Sequence, residues 1–145
     1  MDIRYTLDKI FDVESEAIVY FAKNSLLEGS QELINRAGLK ALESLTKLQG
    51  CPTGDVKIIP GYDLSNLYIL LTVLPHDIKS NINKILFDRA FNEIIRVAKE
   101  YDIKSLAINL TYLKEKYGKD YIESLNKVLH SKAYKFDDFI VYLCR

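Results

Sequence analysis

The chain has 145 residues, 48% apolar and 28% charged, and twenty Lys and Arg balance twenty Asp and Glu. That length suits one domain burying roughly 70% of the surface its unfolded form exposes, and the even charge gives no general field to draw in DNA or an anionic membrane. No run nears the roughly 20 apolar residues that span a bilayer, two cysteines are too few for a disulfide framework, and no Cys/His cluster has zinc-site spacing.

From the N-terminus, residues 1–5 mix charged and apolar side chains and lack the apolar run of a secretory leader, so the expected location is cytoplasm or nucleus. Residues 17–22 form a continuous apolar run of strand length, as in a strand covered on both faces. Ser30 has the chemistry of an N-cap. Glu32 follows in the first turn, Leu33, Ile34 and Ala37 lie inward, and Gly38 interrupts. A second helix is expected to present Leu39, Leu42, Leu45 and Leu48 on one face. Residues 51–55 are turn chemistry, because Pro52 fixes φ and Gly54 permits positive φ. Strands are expected over 56–59 and 67–74, separated by a turn at 60–63.

Residues 83–98 predict an amphipathic helix with Phe87, Phe91, Ile94, Ile95 and Ala98 on one stripe. A buried strand follows over 105–110, then a helix over 120–131 with Ile122, Leu125, Val128 and Leu129 inward, and a last strand over 139–143. Cys51 and Cys144 read as reduced, partly buried thiols. His76-Asp77 reads as a turn leading into a helix, and His130 as a helix-surface residue. No repeat, low-complexity tract or linker divides the chain, so residues 1–145 are expected to form a single domain. Strands alternating with helices predict a parallel or mixed sheet covered on both faces, with ligands at the carboxyl ends of its strands. The loops after Ala22 and Leu110 are therefore the places to look.

Three blocks carry a more specific signal. Ala17-Ile18-Val19, Leu26-Leu27, Gly29 and Ala37-Gly38 fit the pattern A-I-V-N-A-A-N-x-x-L, a glycine-rich loop, and a helix ending A-G. Cys51-Pro52-Thr53-Gly54, Gly61-Tyr62-Asp63-Leu64 and Leu71-Thr72-Val73-Leu74-Pro75 follow C-x-T-G, G-Y-x-L and H-T-V-x-P without a gap. Ser105-Leu106-Ala107-Ile108-Asn109 stands where S-I-A-F-P leads to a phosphate loop. In this order the blocks resemble the macro domain family over nearly the whole chain. The departures are similar to the divergent class of the macro part of ganglioside-induced differentiation-associated protein 2.

The resemblance implies a three-layer α/β/α fold with a mixed, mostly parallel sheet of about six strands. It implies recognition of ADP-ribose or a related nucleotide, free or on an ADP-ribosylated protein, with no cofactor or metal; the oligomeric state stays open, a monomer being the expectation. Carried onto this sequence, the ligand-binding positions are Asp8, Ile10, Lys23, Asn24, Leu27, Gly29, Ser30, Thr111, Tyr112, Tyr117 and Gly118. The acidic residue that meets the adenine amino group falls on Lys9, with Asp8 beside it. The asparagine linked to the distal ribose and to hydrolysis falls on Lys23, and Asn24 beside it is the one weak catalytic candidate.

A diphosphate needs close backbone N–H donors, which favours glycine-rich loops. Leu27-Glu28-Gly29-Ser30 keeps one glycine and sets a carboxylate where an anion should lie. Lys23 is either a phosphate contact, even a Schiff-base nucleophile, or a solvated lysine at a strand end. Lys114, Lys116 and Lys119 either supply point charges to a phosphate or belong to a solvated loop. The expected function is recognition without hydrolysis; the alternative is a protein-interaction scaffold that keeps the fold and has lost the nucleotide.

Overall fold

The computed structural model describes residues 1–130 and 138–145. Its strands are β1 (Asp2–Thr6), β2 (Ala17–Phe21), β3 (Val56–Pro60), β4 (Tyr68–Thr72), β5 (Ser105–Asn109) and β6 (Ile140–Cys144). They form one sheet in the order β1-β6-β5-β2-β4-β3, parallel throughout except where β3 pairs antiparallel with β4. The helices are α1 (Gln31–Ala37), α2 (Leu39–Leu48), α3 (Asn81–Glu100), α4 (Leu110–Tyr117) and α5 (Tyr121–Leu129), with a 3-10 turn at Ile10–Asp12.

A parallel sheet covered on both faces must bury both sets of alternating side chains. Ala17, Val19, Leu70, Leu106, Ile108 and Val141 meet α3, α4 and α5 in one core. Ile18, Ile69, Leu71 and Ala107 meet α1 and α2 in the other. The result is the expected three-layer α/β/α sandwich with a mixed sheet of six strands.

The long helix α3 buries Phe87, Phe91, Ile94, Ile95 and Ala98 as its periodicity predicts. Each fully buried Phe or Ile contributes about 1.5–3 kcal/mol relative to exposure. The helix begins at Asn81, two residues before the expected start at residue 83, because Ser80 caps it by accepting the Asn83 N–H at 3.1 Å. Asp77 joins the same turn, accepting from the Lys79 N–H at 3.0 Å and the Asn83 side chain at 3.3 Å.

Several expectations are corrected. Strand β1 was not marked by apolar periodicity, because it is an edge strand in which Asp2, Arg4 and Tyr5 are exposed. In α2 Ala41 and Leu45, one helical turn apart, are buried and Leu48 packs half-buried on the same core, whereas Leu39 at the first position is 76% exposed. In α5 Leu125, Val128 and Leu129 are buried and Ile122 is 43% exposed. The expected end of that helix at Ser131 lies outside the described residues. Ser30 stands at the N-cap of α1, yet its hydroxyl donates to the Leu26 carbonyl at 2.8 Å rather than capping the helix.

The largest correction concerns residues 110–118, expected as a phosphate loop. They form helix α4 with a C-terminal glycine. The Asn109 side chain caps it by accepting the Tyr112 N–H at 3.1 Å, and Gly118, with φ 62°, ends it. Leu110, Leu113 and Tyr117 fall at helical spacing and are buried.

Candidate functional site

The central strands β2 and β5 are held together over a short stretch. Only Ala17↔Leu106 and Ile18↔Ala107 are in register, whereas β2 pairs with β4 over five positions, through Phe21↔Thr72. The strands part toward their carboxyl ends. There the strand order also switches, since β2 continues to β4 and β3 on one side and β5 to β6 on the other. A crevice at this point is where a doubly wound sheet accepts small ligands. It has a volume of about 290 Å³.

Its floor is the exit of β2, from Val19 to Lys23. One wall is the loop segment Glu28 to Ser30 with Glu32, and the others are Ile10 with Phe11, and Asn109 with Tyr112. Aromatic rings occupy much of the floor. The Phe21 ring stacks on Tyr112 with centroids 4.9 Å apart and leans on Phe91 at 6.2 Å. Phe11 faces Tyr20 at 6.4 Å, and the Arg36 guanidinium sits 4.9 Å above the Phe11 ring. The Tyr20 hydroxyl donates to the Gly29 carbonyl at 3.3 Å, and burial raises its pKa.

The loop after β2 is knotted onto itself. Leu26, fully buried with φ 65°, pins it to the second core. The Leu27 and Glu28 N–H groups both donate to the Ser25 hydroxyl, at 3.2 and 3.0 Å. The Leu26 N–H goes to the Lys23 carbonyl and the Ser30 N–H to the Leu27 carbonyl. Gly29 adopts φ 77°, a conformation that a side chain would strain. Lys23 reaches Glu28 at 3.3 Å, and Glu32 pairs with Arg36 at 3.5 Å.

Of the positions singled out in the sequence, Ile10, Lys23, Gly29, Ser30 and Tyr112 meet in this crevice. The others lie elsewhere. Asp8 is exposed beyond β1, its N–H donating to Thr6 Oγ1. Asn24 turns away and donates to the Cys51 carbonyl at 3.0 Å and to Thr53 Oγ1 at 3.3 Å. Leu27 is 40% exposed outside the crevice. Thr111 and Gly118 border a separate groove beside α5 together with Lys114 and Lys119. Tyr117 is buried against Phe87 at 5.3 Å and donates to the Pro75 carbonyl at 2.5 Å; burial raises its pKa above the usual tyrosine range.

Sequence reasoning missed Phe11, Tyr20, Phe21, Glu32 and Asn109 as crevice residues. For two of them the signal was present: reading Ala17-Ile18-Val19 as A-I-V sets Tyr20 and Phe21 on the first asparagine and first alanine of N-A-A-N. Large rings there narrow the space that small residues would leave. Both thiols are buried, and burial raises their pKa, that of Cys144 to about 11 with help from nearby Asp8. Neither is poised as a nucleophile.

Comparison with known proteins agrees with this fold. A family model described as Macro domain matches residues 22–112. A macro domain-containing protein of Methanosarcina mazei is 36% identical over 110 residues, covering 72% of this chain and 58% of that protein's length. Among solved structures, the macro domain of ganglioside-induced differentiation-associated protein 2 superposes with a TM-score of 0.75 at 19% identity, covering 99% of this chain and 77% of the other. The Trypanosoma brucei macrodomain in complex with ADP-ribose gives 0.78 at 22% identity, covering 98% of this chain and 63% of the other.

Proposed function

The chain belongs to the macro domain family, and on that premise we propose that it recognises ADP-ribose or a related adenine nucleotide, free or carried on a modified protein, without hydrolysing it. One observation carries the reading. The crevice opened by the parting of β2 from β5 gathers Lys23, Gly29, Ser30 and Tyr112 at the carboxyl ends of the strands. The Trypanosoma brucei relative of the same fold was crystallised with ADP-ribose.

Hydrolysis requires a polar side chain that orients a water or the distal ribose. Asn24 has its amide committed to Cys51 and Thr53 outside the crevice, and Lys23 stands in its place within. Binding is weak on this account, because four of the loop N–H groups, those of Leu26, Leu27, Glu28 and Ser30, are engaged by Ser25 and by turn bonds.

A second reading, a protein-interaction scaffold without a ligand, is favoured by the stacked Phe21 and Tyr112 rings that narrow the crevice. Thermal unfolding with ADP-ribose, ADP and ATP separates the two. Ligand at 100 times its dissociation constant adds about 2.7 kcal/mol, a rise of several degrees for a domain this size. No rise with any of the three at millimolar concentration supports the scaffold.

A further inference from the structure

We propose that Lys23 is the cation that receives the ligand's phosphate and that Glu28, its partner in the free protein, is the group the phosphate must displace. This pair then sets the selectivity between charged and uncharged nucleotides. The inference rests on the nucleotide reading above.

Four observations lead to it. First, four backbone donors of the loop are already engaged, the Leu27 and Glu28 N–H groups by Ser25 Oγ and the Leu26 and Ser30 N–H groups by carbonyls within the loop, which leaves the Gly29 N–H as the one remaining donor between Leu26 and Ser30. With so few loop N–H groups free, a side-chain cation is needed to hold an anion firmly. Second, Lys23 is the only Lys or Arg among the described residues lining the crevice, and a lysine is an effective point charge for phosphate. Third, its Nζ is held by Glu28 at 3.3 Å while both side chains remain largely exposed, at 63% and 73%. An ion pair in that setting is weak and exchangeable. Fourth, the other crevice carboxylate, Glu32, is paired with Arg36 and so does not contend for Lys23.

The geometry also permits the exchange. The stem of Lys23 passes Gly29 at ordinary contact distance, and its largely exposed ammonium already borders the crevice and is free to turn into it. Glu28 can turn to solvent when released. A phosphorylated ligand therefore trades one ion pair for another, whereas adenosine binds without disturbing the pair. The wild-type chain gains little from a ligand's phosphates.

The test is calorimetric titration of adenosine, ADP and ADP-ribose into wild type, Glu28→Gln, Lys23→Met and the double variant. Glu28→Gln should tighten ADP and ADP-ribose roughly fivefold, the worth of a good exposed ion pair, and leave adenosine within about twofold. High salt should shrink that gain. Lys23→Met should weaken ADP, and in the double variant the benefit of Glu28→Gln should shrink to what relief of direct carboxylate–phosphate repulsion supplies, whereas Lys23→Arg should retain binding. Equal effects of Glu28→Gln on adenosine and ADP, or none on either while ADP still binds, would overturn the proposal alone. Absence of binding by all three ligands to every variant would overturn the nucleotide reading and this inference with it.

Discussion

Phe21→Ala is the substitution with the clearest paired consequences for packing and for the crevice. The ring is half-buried at the end of β2, stacked on Tyr112 at 4.9 Å and tilted against Phe91 at 6.2 Å. A fully buried Phe truncated to Ala costs about 3–5 kcal/mol; half burial and a remaining open crevice bring the expected loss to about 2 kcal/mol. For a domain of this length that is a fall in Tm of roughly 6–8 °C. The space released adjoins Lys23 and Tyr112, so the crevice widens where the family pattern keeps alanine. Differential scanning calorimetry should show the loss, and calorimetric titration should show ADP-ribose binding at least as tightly as to wild type. A Tm unchanged within a degree would refute the packing argument. Weakened ADP-ribose binding with the fold intact would refute the claim that Phe21 fills ligand space.

Tyr117→Phe removes the donor to the buried Pro75 carbonyl, and urea unfolding should report a loss of about 1–2 kcal/mol with no change in nucleotide affinity. Asn24→Ala frees the Cys51 carbonyl and Thr53 Oγ1 and should cost about 0.5–1.5 kcal/mol in the same assay; an unaltered ADP-ribose affinity would agree with its place outside the crevice. Cys144 has a folded pKa of about 11, above the ordinary thiol value near 9. Its neutral form is the one the fold favours, so its contribution is fully present below about pH 9 and is lost as pH rises toward 11. Replacing Cys144 by Ala should flatten the alkaline limb of stability against pH between those values.

The sequence told most where burial was complete. The apolar runs of β2, β4 and β5 and the stripe of α3 follow from faces that admit only apolar residues, and the strands sit close to where they were expected. Edge strand β1 has no such constraint, because its side chains Asp2, Arg4 and Tyr5 face water and its pairing with β6 is a matter of backbone. Helix α4 escaped notice for another reason. Its signals were local and present, a capping Asn109, leucines three apart and a terminal Gly118, but the family pattern assigns a loop to that stretch.

The same distinction runs through the site. The family pattern carried onto the sequence brought Ile10, Lys23, Gly29, Ser30 and Tyr112 to one place. Once α4 is a helix, Tyr117 follows Leu110 and Leu113 into the core, and Thr111 and Gly118 fall to the opposite side. Asn24 could not be placed from sequence, because its orientation depends on carbonyl and hydroxyl partners 27 and 29 residues away.

The central claim, that the crevice between β2 and β5 is the nucleotide site, is tested most directly by an amide NMR titration with ADP-ribose. The account predicts progressive shifts confined to the exit of β2, Glu28 to Ser30, Ile10 and Phe11, and Asn109 to Tyr112, with Asn24 and Gly118 comparatively still. Shifts centred instead on the groove beside α5, or none at millimolar ADP-ribose, would contradict it.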